Sequence, residues 1–115
     1  MSDKCIFCMI ANREIPAEVV YEDPEIMAFK DLNAMAPVHL LFIPKKHIPT
    51  LNDMDEGDVA IAGRMLKVIR DVASSQGIDS AGYRVVANCN KDGGQEVYHL
   101  HFHLLGGRGL LWPPG

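Results

Sequence analysis

Three histidines alternate along five residues near the C-terminus, His99-Leu100-His101-Phe102-His103. Two residues is the repeat of a β-strand, so the imidazoles are expected on one face, with Leu100, Phe102 and Leu104 on the other. Neighbouring imidazoles would stand roughly 6.5–7 Å apart, and one small anion could touch two of them. Imidazole serves as nucleophile, acid or base near neutral pH. A run of surface histidines would not be interleaved with large apolar residues, so the segment reads as a catalytic or metal-binding strand. A second chemical cluster, Cys5-Ile6-Phe7-Cys8, has the Cys-x2-Cys spacing of half a structural zinc site. The plainer reading is that both thiols are small buried apolar groups.

These residues must be positioned by a single domain spanning 1–115, since 115 residues leave no room for a second. That length supports a core without disulfides, burying roughly 65% of the surface exposed on unfolding. Eleven basic against 15 acidic residues give a net charge of −4, with no basic run, which disfavours general nucleic-acid binding. No apolar stretch approaches a membrane span. Met1 to Cys5 lacks the charged and apolar regions of a signal peptide, and three cysteines, two of them close together, fit a reducing cytoplasm.

Ile6 to Asn12 is expected to form a short helix. Val19–Glu22 and Ile26–Phe29 read as strands joined by the turn signal Asp23-Pro24. His39–Ile43 is an apolar run bounded by prolines, a buried strand. His39 itself, opening that strand, reads as a satisfied core histidine rather than a ligand. Asp53 with Glu56 three residues on forms a candidate capping box for a long helix. Val59, Ala62, Met65, Leu66, Ile69 and Ala73 give that helix one apolar face, and Gly77 ends it in a left-handed cap. Tyr83–Asn88 is the fourth strand and the histidine segment the fifth. Cys89 has no partner and is expected to pack near the fourth strand. Strands without regular βαβ alternation, plus one long and one short helix, predict an α+β fold with a five-stranded antiparallel sheet and helices on one face. Dimerisation would hide an edge of so small a sheet.

The run from Gly93-Gly94-Gln95-Glu96-Val97-Tyr98 through the histidines to Leu104-Leu105-Gly106-Gly107 resembles a histidine triad (HIT) protein, most of all the Hint branch of purine-nucleoside phosphoramidases. The resemblance extends through Ile6-Phe7, Glu14-Ile15-Pro16-Ala17, Ala28-Phe29-Lys30-Asp31, Ala36-Pro37-Val38-His39, Pro44-Lys45-Lys46-His47-Ile48, Gly82-Tyr83-Arg84, Asn88 and Trp112-Pro113-Pro114-Gly115. It implies a two-fold homodimer whose sheets join into one of ten strands. It also implies hydrolysis of phosphorus–nitrogen bonds or aminoacyl-adenylate-like anhydrides, releasing the nucleoside monophosphate.

By that resemblance His101 is the nucleophile that forms a nucleotidyl-histidine intermediate, His103 binds the phosphate and helps protonate the departing amine, and His99 completes the triad. Backbone N–H groups around Gly94, Gln95, Glu96 and Val97 would hold the phosphate. Asp31 would accept from the ribose hydroxyls. Phe7, Ile10, Phe29 and Leu32 would wall the base, and Asn88 would lie near the leaving group. Glu96 departs from the serine of animal Hint proteins and resembles bacterial forms, and a carboxylate there would favour amines carrying positive charge. The tail 107–115, with Trp112, would reach the partner's active site. Relatives outside the animal Hint group bind zinc with the cysteine pair and two histidines, here matched by Cys5, Cys8, His47 and His99. Such a zinc would be structural, and none would be required for chemistry.

Two other readings compete. In a metal-dependent hydrolase, His99, His101 and His103 would all bind one ion. In a nucleotide-binding regulatory module, turnover would be slight. A dinucleoside polyphosphate hydrolase is a further possibility within the family.

Overall fold

The computed structural model describes residues 5–115, so the absence of a leader read at Met1 to Lys4 lies outside the described residues. Helix α1 spans Ile6–Ala11, strands β1 to β3 span Val19–Glu22, Ile26–Lys30 and Val38–Pro44, helix α2 spans Val59–Ser75, and β4 and β5 span Tyr83–Val86 and Phe102–Gly106. The strands form one antiparallel sheet in the order β1-β2-β3-β5-β4. No helix among the described residues is long and apolar enough to cross a membrane.

Strand alternation sorts residues between the two sheet faces. Ile26 and Ala28 of β2, Leu40 and Phe42 of β3, and Phe102 and Leu104 of β5 meet Met65, Val68, Ile69, Val72 and Ala73 of α2. Met27, Phe29, Leu41 and Ile43 face the other way and pack against Phe7 and Ile10 of α1. The helices therefore do not share one face as expected: α2 covers one face, while α1 covers part of the other and leaves room beside it, because the second face of β2 and β3 is apolar as well. His39 and His103 lie on that second face, since His39 alternates with Leu40 and His103 pairs directly with Leu41.

Three local expectations are corrected. Asp53 does not cap the long helix: its Oδ2 accepts from the Thr50 amide at 3.1 Å, closing a separate 3-10 turn at Leu51–Asp53. A second turn, Glu56–Asp58, follows, and Asp58 bends back to the Asp55 amide before α2 begins. On α2 the buried stripe runs through Val68 and Val72, while Val59 and Leu66 are exposed, because one residue past Met65 turns the side chain about 100° towards solvent. Gly77, at φ +75°, ends the helix as expected, and the Ile78 amide reaches back to the Ala73 carbonyl at 3.1 Å.

The third correction concerns the histidines. Strand β5 begins only at Phe102, so His103 alone of the three lies within it. Continuing the β3–β5 register would oppose Leu100 to Pro44, which has no amide hydrogen to give. The Leu100 amide instead donates to the Ile48 carbonyl at 2.6 Å. The chain leaves the ladder there, and this break orients the rings described below.

Gly106 closes β5 directly over α2's end. A Cβ there would lie 2.6 Å from Ile78 Cδ1 and 3.2 Å from its Cβ. Gly106→Ala is therefore expected to cost about 1–3 kcal/mol through overpacking, read as a lower urea midpoint at unchanged slope.

Candidate active site

Each triad ring has one nitrogen committed to a specified partner. His101 Nδ1 lies 2.7 Å from the His99 carbonyl oxygen. A carbonyl only accepts, so Nδ1 carries the hydrogen and Nε2 has a free lone pair. His99 Nε2 likewise donates to the Pro44 carbonyl at 2.7 Å, leaving its Nδ1 bare. His103 Nδ1 lies 2.9 Å from Nε2 of His39, whose own Nδ1 accepts from the Met35 amide at 3.0 Å. Neither His101 Nε2 nor His103 Nε2 forms a hydrogen bond, and no buried side-chain nitrogen among the described residues lacks a partner. Both Nε2 atoms therefore reach open space.

That space is a cavity of about 300 Å³, the small end of the range for ligand sites. His101, His103, Asp31, Asn88, Gly94, Glu96 and Val97 form its polar side; Phe7, Ile10, Phe29, Leu32 and Leu41 form its apolar side. Phe7 stands edge-on to His101, ring centroids 5.0 Å apart and planes at 88°, and fixes the ring's tilt. Burial pushes the His101 pKa down, against the His99 carbonyl and the Asp31 charge, which raise it. Burial, with the neighbouring His101 and His39, pushes His103 down to about 4. Both rings are neutral at pH 7, one with a lone pair and the other adjacent to it, centroids 5.1 Å apart.

Several expected contributors lie elsewhere. His99 is fully buried outside the cavity; its part in the site is the carbonyl that orients His101. Gln95 does not line the cavity either. Its Oε1 accepts from the Asn90 amide and its Nε2 donates to the Pro49 and Val97 carbonyls, so it braces the loop. The Gly94 and Gln95 amides are used inside that loop, donating to Lys91 and Asn90 carbonyls, which leaves those of Glu96 and Val97 for a ligand. Trp112 is 82% exposed and touches no part of the cavity in this chain. His39 is buried with both ring nitrogens partnered, as expected of a satisfied core histidine; what sequence reasoning missed is that one of those partners is His103. The alternation His39, Leu41, Ile43 was the available signal, since it puts His39 on the face of β3 that carries the site.

His99 Nδ1 turns away to a second centre. It lies 3.3 Å from Cys5 Sγ, 3.5 Å from Cys8 Sγ and 3.3 Å from His47 Nδ1, and Cys8 Sγ lies 3.2 Å from His47 Nδ1. The four donor atoms, all within 4.8 Å of one another, could hold a metal ion. Burial, then the neighbouring Cys5 thiol, pushes Cys8 up to about 11. Two sulfurs and two imidazole nitrogens thus converge from four separate positions, a soft donor set of the kind that holds a cation. The three triad rings do not converge on one point, which removes the reading of a single ion held by His99, His101 and His103.

A histidine pair at the mouth of a small cavity, on a five-stranded α+β sheet, defines the class, and the chain belongs to the HIT domain family, whose profile matches residues 12–110. A purine nucleoside phosphoramidase of Escherichia coli K12 is 47% identical over 110 residues, covering 96% of this chain and 92% of that protein. An uncharacterized HIT-like protein of Synechococcus elongatus is 49% identical over the full length of both. Among solved structures, a HIT family hydrolase from Legionella pneumophila superposes with a TM-score of 0.96 at 53% identity, covering 97% of this chain and all of that one.

Proposed function

We propose that this chain is a nucleoside phosphoramidase that hydrolyses purine nucleoside 5′-phosphoramidates and aminoacyl-adenylate-like anhydrides to the nucleoside monophosphate. The observation that carries the reading is His101, its Nδ1–H held by the His99 carbonyl and its bare Nε2 open to the cavity beside His103. The name of the E. coli relative supports it.

In the first step His101 Nε2 attacks phosphorus and the phosphorus–nitrogen bond breaks. Its electron pair goes to the departing nitrogen, which takes a proton from solvent and leaves as the amine. In the second step water attacks phosphorus, the bond to Nε2 breaks, and the water's proton returns to solvent with release of the monophosphate. Splitting one displacement into two lowers each barrier. The Glu96 and Val97 amides and the second histidine, His103, meet the charge on the phosphoryl oxygens. Asp31 accepts from the ribose hydroxyls, Phe7, Ile10, Phe29 and Leu32 flank the base, and Asn88 and Glu96 stand towards the amine.

Cys5, Cys8, His47 and His99 suit zinc. Tetrahedral edges built from ordinary zinc–nitrogen and zinc–sulfur lengths are about 3.3–3.8 Å, close to the separations found here. The ion would supply a closed structural clip, tying the N-terminal segment to the residue whose carbonyl orients His101. The reading extends to a homodimer in the cytoplasm whose tail, residues 107–115, reaches the partner's cavity. Tyr83 and Val85, exposed on edge strand β4, are consistent with a sheet continued across two chains.

The test is release of AMP from adenosine 5′-phosphoramidate by the purified protein, followed against pH. Rapid release is expected. Only neutral His101 attacks, and its depressed pKa keeps Nε2 bare to lower pH, so the acid limb of kcat/KM should fall below the ordinary histidine value of about 6.5. AMP binding without turnover would overturn the enzyme reading in favour of a regulatory module.

A further inference from the structure

We propose that His39 is a positioning residue that selects the tautomer of His103, so that His103 Nε2 carries a hydrogen into the cavity. The catalytic consequence rests on the function proposed above; the tautomer itself does not.

The argument is a chain of donors and acceptors. The Met35 amide can only donate, so His39 Nδ1 accepts from it at 3.0 Å and the ring hydrogen of neutral His39 sits on Nε2. That hydrogen points at His103 Nδ1, 2.9 Å away, which must then be the acceptor. One hydrogen remains for neutral His103, and it goes to Nε2. The next peptide along is held as well, since the Met35 carbonyl accepts from Arg108 Nε at 3.0 Å. The sheet register supplies the contact: Leu41 pairs with His103, which puts His39 diagonally across from it on the same face.

The consequence is chemical. With its pKa near 4, His103 offers the cavity no positive charge at pH 7, so its tautomer alone decides what it presents. With a hydrogen on Nε2 it donates to a phosphoryl oxygen; with a bare Nε2 it would face that oxygen lone pair to lone pair. His101 beside it has the opposite tautomer, and each is dictated by a backbone group. Two neutral histidines thus become a nucleophile and a donor.

Asp31, His39 and His103 also bring three donor atoms within 4.8 Å, as a metal site would. The Met35 amide argues against it. A metal on His39 Nε2 would move the ring hydrogen to Nδ1, and two donors would then face each other at 3.0 Å. Asp31 Oδ2, 3.3 Å from His39 Nε2, is the more distant partner for that hydrogen.

The experiment reads imidazole tautomers by long-range proton–nitrogen NMR on the wild type, His39→Gln and His39→Leu, with kcat and KM for adenosine 5′-phosphoramidate alongside. Gln restores both contacts, its amide donating to His103 and its carbonyl accepting from Met35; Leu restores neither. The expected result is an Nε2–H tautomer for His103 in the wild type and in His39→Gln, lost or mixed in His39→Leu. There kcat should fall about 10²-fold with KM little changed. An Nδ1–H tautomer for wild-type His103 overturns the proposal even if the Leu variant fails to fold. So does an unchanged tautomer in a folded Leu variant. A wild type with the expected tautomer but no turnover would sink the phosphoramidase reading and leave the tautomer assignment standing.

Discussion

His101→Ala is expected to lower kcat for AMP release by about 10⁴–10⁶-fold, the loss seen when a covalent nucleophile is removed from a group of residues that act as a unit. Nothing else among the described residues can take its place. His103 presents its Nε2 beside the same cavity, but with Nδ1 accepting from His39 that nitrogen carries the hydrogen. His99 has its bare nitrogen in the cysteine cluster. Binding should survive, because the apolar wall and Asp31 do not depend on the missing ring. Calorimetry with AMP, read beside a stopped assay for amine release, separates the two effects. The wild type quenched in mid-turnover should carry one added nucleotidyl mass, and the variant none. Turnover by the variant within tenfold of the wild type would mean that water attacks phosphorus directly, and the two-step scheme would fall.

The second large effect concerns the Cys5, Cys8, His47 and His99 cluster. Protein isolated from zinc-containing medium is expected to hold one zinc per chain, and Cys8→Ser to lose it. The accompanying loss of stability should be about 3 kcal/mol or more, roughly 10–20 °C in Tm, since binding energy at a closed site is folding energy. The cluster joins positions more than 90 residues apart in sequence, where closing a loop costs an unfolded chain most. Metal affinity should fall as pH is lowered, because protons compete for the sulfurs and imidazole nitrogens. Elemental analysis and thermal unfolding with and without a chelator give the answer. A metal-free wild type as stable as the zinc-loaded protein would reduce the cluster to a set of buried thiols and imidazoles.

Much of this architecture was legible along the chain. Strands β1 to β3 declare themselves as short apolar runs bounded by turn signals and prolines, and α2 by its three- and four-residue apolar steps. The cysteine pair and the histidine alternation are local spacings, so they are read without knowing what surrounds them. The misreadings share one cause. Asp53 has the right residue type and spacing for a helix cap, yet competing hydrogen bonds from Thr50 take its carboxylate first. Leu66 fits an apolar stripe, but only the position of the sheet decides which side of the helix is inside. Gln95 looks like a ligand contact because it follows two glycines, and the three loop groups it bonds are visible only once the chain is folded.

From the sequence alone came the residue types that can do chemistry, their two-residue spacing and the order of the elements around them. These depend on local periodicity, which every stretch of chain carries within itself. Which nitrogen of each histidine bears its hydrogen was decided by the tertiary structure. The partners that settle it, the Met35 amide, the Pro44 carbonyl and the His99 carbonyl freed where β5 stops short, act through contacts set by strand register and the break at Pro44. A histidine is an acid, a base, a ligand or a filler according to those neighbours. The three triad rings, identical in the sequence, are sorted by them into one that faces the cysteine pair and two that open to the cavity, for which we propose the nucleophilic and hydrogen-donating roles.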